Sequence, residues 1–190
     1  MNYYSDSDVF IRDMVQSDAR LITDAEIGQG WNQTIEKYER RLRDQAEGRS
    51  VSLVAEYCGS VAGYIHVYPD STWGAFANQG LPEIIDFGVL EKYRCRGIGN
   101  RLMDVAEQVA ASYADRVYLG VGLHSGYGSA QRMYIKRGYV PDGSGVWYRN
   151  TICEPYAACN NDDELVLYLI KRLKESEEST IERYYPDGMK

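Results

Sequence analysis

The chain has 190 residues, with 21 Lys and Arg against 28 Asp and Glu, a net charge of −7, two His and four Cys. A chain of this size forms one domain with a sizeable core and needs no staples, and its negative field disfavours nucleic acid as a partner. Cys58, Cys95, Cys153 and Cys159 make no CxxC pair, and with only His66 and His124 beside them no metal pattern forms. The start, Met1-Asn2-Tyr3-Tyr4-Ser5-Asp6, has no basic-then-apolar signal, and the longest apolar run, Leu165 to Ile170, is too short to cross a bilayer. A reduced, cytoplasmic chain without membrane contact is expected.

Val9-Phe10-Ile11 reads as a first strand. A helix starting near Ser17-Asp18 puts Leu21, Ile22 and Ala25 on one face and ends at Gly28 and Gly30. Asn32 is placed to cap a second helix, in which Ile35, Tyr38, Leu42 and Ala46 recur at helical spacing. Two strands, Ser50 to Tyr57 and Val61 to Tyr68, are joined by Cys58-Gly59-Ser60 as a hairpin turn. Residues 69 to 82 hold Pro69, Gly74, Gly80 and Pro82 around Trp73 and Phe76, a long loop that is either functional or an aromatic plug over the core.

Glu83 to Leu90 is the fourth strand. The helix after it aligns Ile98, Leu102, Val105, Val109 and Tyr113 in one stripe, and Arg116 to Gly122 is the fifth strand. A short helix from Ser129 to Arg137 stops at Gly138, with Ala130, Met133 and Tyr134 inward. Tyr139-Val140, Val146 to Tyr148 and finally Leu165 to Ile170 complete the sheet. Residues 1 to 170 form a single domain, and 171 to 190 a mostly charged tail.

Between the fourth strand and its helix lies Arg94-Cys95-Arg96-Gly97-Ile98-Gly99-Asn100. Two glycines at a strand-to-helix turn leave backbone N–H groups unpaired at the positive end of a helix dipole, and Arg94 and Arg96 add charge. This is an anion seat. It is not a Walker loop, because Gly-Lys-Ser/Thr is missing. A dinucleotide fingerprint fails too: Leu102 stands where the third glycine belongs, and the next strand ends Leu119-Gly120-Val121-Gly122 with no carboxylate.

The pattern Arg94-x-x-Gly97-x-Gly99, followed by Leu102-Met103, resembles the acetyl-CoA motif of the GNAT N-acetyltransferase superfamily. The segment from Ser129 to Tyr139 is similar to that superfamily's later helix, which ends in Gly and an aromatic. The resemblance is strong over residues 83 to 140. It implies an α/β (α+β) fold: a mixed, mainly antiparallel central sheet of six to seven strands flanked by helices, with strands four and five parallel and splayed. It also implies that backbone groups of Phe87, Gly88 and Val89 pair with the pantetheine arm, and that N–H groups of Cys95, Arg96, Gly97, Ile98, Gly99 and Asn100 cradle the pyrophosphate. Tyr134 matches the tyrosine beside the thioester sulfur, and Glu83 falls where the histone-acetylating branch keeps its general base. Tyr127 stands where many members have Asn.

The implied activity is transfer of acetyl from acetyl-CoA, without a metal, to a primary amine of a small molecule or peptide by direct attack. An amine with a pKa of about 10.4 is neutral in roughly one molecule in 2,500 at pH 7, so a base must take its proton. Glu83 leads, with Asp86 and His124 behind it. Tyr134 can protonate the departing sulfur, and an N–H near Val89 or Leu90 can meet charge on the carbonyl oxygen. Cys95 sits in the cradle with its side chain expected to point away, so direct transfer is favoured over a cysteinyl intermediate.

The net charge and the acidic run Asn160 to Glu164 suit a cationic acceptor, and Tyr127, Trp147, Tyr148 and Tyr156 are candidates for its wall. The aromatic C-terminal third is compatible with a homodimer. A non-catalytic acyl-CoA-binding sensor is the alternative reading, and a longer acyl donor or an alcohol acceptor a further one.

Overall fold

The computed structural model describes residues 1–173. Among these residues nine strands form one sheet in the order β1-β2-β3-β4-β5-β6-β9-β7-β8. They are β1 (Asn2–Ser5), β2 (Val9–Asp13), β3 (Val51–Tyr57), β4 (Ser60–Tyr68), β5 (Glu83–Val89), β6 (Arg116–Gly122), β7 (Val140–Tyr148), β8 (Thr151–Ile152) and β9 (Leu165–Arg172). The helices are α1 (Gln16–Gly28), α2 (Ile35–Ala46), α3 (Ile98–Ala111) and α4 (Gly128–Lys136). Every neighbouring pair is antiparallel except β5 with β6.

The count exceeds the six to seven strands expected. β1 and β8 are short pieces at the two sheet edges, below the length at which alternation can be read. The two segments expected at 139–140 and 146–148 are the ends of a single strand, β7, whose register shifts between Pro141 and Val146. β9 runs to Arg172, into the segment expected as tail; residues 174 to 190 lie outside the described part. Thr34, not Asn32, is the N-cap of α2. Tyr113 lies past the end of α3 and is exposed, while Ile98, Leu102 and Val105 are buried as their spacing requires.

The local signals explain the elements. Cys58 and Gly59 both adopt positive φ, the requirement of a tight two-residue hairpin, and bring Tyr57 opposite Ser60. On one sheet face the apolar stripe of α3 packs with Ile65, Ile84 and Leu119, and Tyr134 of α4 joins it. On the other face α1 and α2 bury Ile22 and Tyr38 against Val54 and Tyr64. The long loop covers the rest of that face, where Leu81 and Phe76 meet Tyr118 and Tyr168. Leu102 is fully buried, so truncation to Ala would cost about 2–5 kcal/mol.

One strand pair departs from regularity in a way that makes the site. β5 and β6 pair only at Glu83↔Tyr118 and Ile84↔Leu119, then separate. On its other side β5 carries a bulge: Gly88 faces Tyr64 and Ile85 faces His66, so Asp86 and Phe87 together oppose one residue of β4. Asp86 takes the left-handed conformation there, with φ at 47°. The bulge turns β5 away from β6 and opens a gap in the sheet.

Candidate active site

Beyond the open end of the gap the chain enters the turn leading to α3. Cys95 and Gly97 have φ of 61° and 78°, and Gly97 is the N-cap of α3. Left-handed residues in such a turn aim successive N–H groups into one concavity. Among the described residues, none of the N–H groups from Cys95 to Asn100 donates to a backbone or side-chain acceptor. Gly99 lets β5 approach, since a Cβ there would meet the Phe87 ring at 3.2 Å. The Arg94 guanidinium stacks on Trp31 and pairs with Glu91, and that of Arg96 stacks on Tyr57, so both remain at the rim. Cys95 is exposed.

A cavity of about 780 Å³ adjoins the cradle between α3 and α4, lined by Asn100, Ser129, Arg132, Met133, Lys136 and Arg137. Arg137 is tied to Asp104 and Glu107, whereas Arg132 and Lys136 have no ion pair among the described residues. Sequence reading missed these two. They lie on the helix already matched by resemblance, but nothing in a helical spacing tells that they face another helix's N-terminus.

Within the gap, the Leu90 N–H is committed to the Ala62 carbonyl at 2.9 Å. Alternation along an antiparallel pair then turns the Val89 N–H away from β4, into the gap. Of the two N–H groups considered for the carbonyl oxygen, Leu90 is therefore removed and Val89 kept. Gly88 leans on the Tyr64 ring, 2.7 Å from where its Cβ would be. The Tyr64 and Tyr38 hydroxyls both donate to the buried Glu26 carboxylate, which ties α1 and α2 to the bulge.

Glu83 lies at the closed end of the gap, on the face covered by α2 and the long loop, and is 4% exposed. Burial raises its pKa from the ordinary carboxylate range to about 7. The neighbouring Ser71 and Tyr118 hydroxyls and the positive charge of Arg41 restrain that rise. Asp86, turned to the same face by the bulge, accepts from Arg41 Nε at 2.8 Å and pairs with Lys37 at 3.3 Å. Burial alone would raise the Asp86 pKa, but Lys37 and Arg41 outweigh it and hold the group at about 2. Asp86 is thus a fixed anion and not a base. His66 is buried beside it, neither ring nitrogen having a hydrogen-bond partner among the described residues, and burial lowers its pKa to about 3.

Tyr134 is 6% exposed, packs edge-on against Tyr139, and its hydroxyl has no hydrogen-bond partner among the described residues. Burial, then the neighbouring Tyr127, raises its pKa, so the phenol carries its proton at neutral pH. Tyr127 covers Gly122, where a Cβ would fall 2.4 Å from its ring, and its hydroxyl donates to Asp163.

His124 follows the C-terminal end of β6, whereas Glu83 pairs near the start of that strand. His124 lies six residues past Tyr118, the β6 partner of Glu83, which is on the order of 20 Å of near-extended chain. Both its ring nitrogens are engaged: Nδ1 accepts from the Gly126 N–H and Nε2 meets Asp163 at 2.9 Å. It caps a turn of 3₁₀ helix, Ser125–Tyr127. The aromatic wall also differs from expectation. Trp147 packs on Tyr168, Tyr148 donates to Asp162, and Tyr156 is fully exposed. Beside Glu83 the wall is instead Tyr68, Trp73 and the polar side of α2, around a cavity of about 650 Å³.

A sheet split at a bulge, with an anion cradle at the mouth of the split and a buried acid beyond it, defines a protein of the acyl-CoA-handling class. The chain belongs to the GNAT acetyltransferase family, whose model matches residues 15–139. Solved structures share the fold. A GNAT-family acetyltransferase from Desulfovibrio desulfuricans has a TM-score of 0.66 at 16% identity, covering 87% of this chain and 99% of that one. YncA from Salmonella typhimurium, solved with its cofactor acetyl-CoA, has a TM-score of 0.64 at 16% identity, covering 90% and 97%. The ribosomal-protein-S18-alanine N-acetyltransferase of Escherichia coli has a TM-score of 0.63 at 12% identity, covering 90% and 97%. No curated protein sequence matches. Among the described residues no cluster of His, Cys, Asp and Glu could hold a metal, and no helix is long and apolar enough to cross a membrane.

Proposed function

We propose that this protein transfers acetyl from acetyl-CoA to a primary amine of a small molecule or peptide by direct attack. The observation that carries the reading is the unpaired N–H cradle from Cys95 to Asn100 opening onto the split between β5 and β6, with buried Glu83 at the far end of that split. Acetyl-CoA supplies an activated acetyl thioester.

The cradle binds pyrophosphate through its N–H groups and the dipole of α3. Phe87 and Val89 offer backbone groups to the pantetheine arm along the edge of β5 that β6 leaves unpaired. Arg132 and Lys136 suit the 3′-phosphate. Glu83 takes a proton from the incoming ammonium, a task for which a pKa of about 7 suits a base working near neutrality. The Val89 N–H donates to the carbonyl oxygen as it gains charge. Tyr134 gives its phenol proton to the departing sulfur. His124 holds the turn before α4 and takes no part in proton transfer.

The test is a panel of amines incubated with acetyl-CoA, following both free CoA and the acetylated amine by mass spectrometry. Stoichiometric appearance of the two is expected. Binding of acetyl-CoA with no acetylated product from any amine would instead identify a sensor.

A further inference from the structure

We infer that the acceptor amine carries an anionic group, held by Arg40 of α2 at the far wall of the Glu83 cavity; this rests on the transferase reading above. The acidic composition of the chain points the other way, toward a cationic acceptor, but the acidic run is not in this cavity. Its Asp162 and Asp163 are engaged with Tyr148, His124 and Tyr127. The cavity that leads to Glu83 is lined instead by three guanidinium groups, Arg40, Arg41 and Arg49.

Two of these are held in ion pairs within the protein. Arg41 is paired with Asp86 and donates to the Tyr68 hydroxyl, while Arg49 is paired with Asp44 and Glu47. Arg40, one residue from Arg41 and exposed, has neither ion pair nor hydrogen bond among the described residues. The cavity's acids leave it unanswered. Asp44 is held by Arg49, Glu83 faces the amine whose proton it takes, and Asp70 is turned to its own loop, accepting from the Gly80 N–H.

The volume of about 650 Å³ suits a small molecule. An amine set at Glu83 with a carboxylate or phosphate toward α2 would meet a planar fork of donors at Arg40, the geometry best suited to such oxyanions. An unmatched guanidinium also discriminates. A neutral or cationic amine of the same size leaves it without a partner, and a second cation is repelled by it.

The experiment compares matched amines on the intact protein with acetyl-CoA: an amino carboxylate against its amide and methyl ester, and an aminoalkyl phosphate against the aminoalkyl alcohol. The anionic member of at least one pair should show a KM lower by about tenfold or more, and the better pair tells carboxylate from phosphate. Arg40→Gln should abolish that ratio, whereas Arg20→Gln, on the exposed face of α1, should preserve it. An unchanged acetyl-CoA affinity in Arg40→Gln certifies that the variant is folded. Equal or better use of the neutral amines, or a ratio that survives Arg40→Gln, overturns the inference and leaves the transferase reading standing. Acetyl-CoA binding without acetylation of any amine overturns the transferase reading, and the inference with it.

Discussion

Asp86 in the bulge of β5 accepts from the Arg41 guanidinium of α2, Nε to Oδ2, at 2.8 Å. The contact joins the helix that walls the acceptor cavity to the strand distortion that opens the donor gap. A non-glycine residue in the left-handed region is costly, and here two cations on α2 hold it there. Breaking one side of a fully buried pair costs about 3–5 kcal/mol. Asp86 is 23% exposed, so about 2 kcal/mol is expected after screening. Asp86→Ala should therefore lower Tm by roughly 4–8 °C and raise the KM for acetyl-CoA. Asp86→Gly, which loses the same pairs but accepts the backbone freely, should be about 1 kcal/mol more stable than Asp86→Ala. Urea unfolding of both variants checks this; equal stabilities would mean that the bulge is not strained.

Glu83→Gln tests the base and also has a stability signature. As base, Glu83 acts when ionised, so kcat/KM for the wild type should fall as pH drops through about 7. The variant should lose about 10² to 10⁴ in rate together with that limb of the profile.

The sign for stability is opposite. The folded-state pKa of Glu83 lies above its unfolded value, so between about pH 4.5 and 7 the folded protein binds the extra proton and becomes less stable as pH rises. The accumulated loss is up to about 3 kcal/mol above pH 7. Glu83→Gln should thus raise Tm at pH 8 and change it little at pH 5, as measured by calorimetry at the two pH values.

Tyr134→Phe keeps the ring in the core and deletes only the hydroxyl. Turnover should fall well over tenfold while the Kd for acetyl-CoA stays within about twofold, because the phenol is assigned a proton and not a binding contact. Unaltered turnover in steady-state assays would remove Tyr134 from the mechanism.

Gly97→Ala should weaken acetyl-CoA binding by tenfold or more in calorimetric titration. The left-handed φ of 78° costs about 1 kcal/mol with any Cβ, and relaxing it re-aims the N–H groups of the cradle. Arg132→Ala with Lys136→Ala should narrow the preference for acetyl-CoA over its 3′-dephospho form, with the cradle left intact.

The cradle, the α3 stripe, the hairpin at Cys58-Gly59 and the order of the main elements were legible in the chain, because each rests on contacts within a few residues. Gly97 and Gly99 announce unpaired N–H groups wherever a strand passes into a helix. Spacing of Ile98, Leu102 and Val105 needs only one apolar partner, whichever it is. Tyr134 and Glu83 entered through resemblance.

What tertiary structure decided depends on strand register and on which charges meet. The facing of Asp86 could not be read by alternation, because a bulge changes parity at that residue. The Leu90 N–H is excluded only by the Ala62 carbonyl across the ladder, and His124 only by the length of β6 and by Asp163 from a distant loop. Net charge suggested a cationic acceptor, yet a sum over the chain says nothing about which arginine is left without a partner. Charges and periods are set locally; the pairing of Arg41 and Arg49, and the lack of a partner for Arg40 among the described residues, arise only when α2 is laid across the sheet.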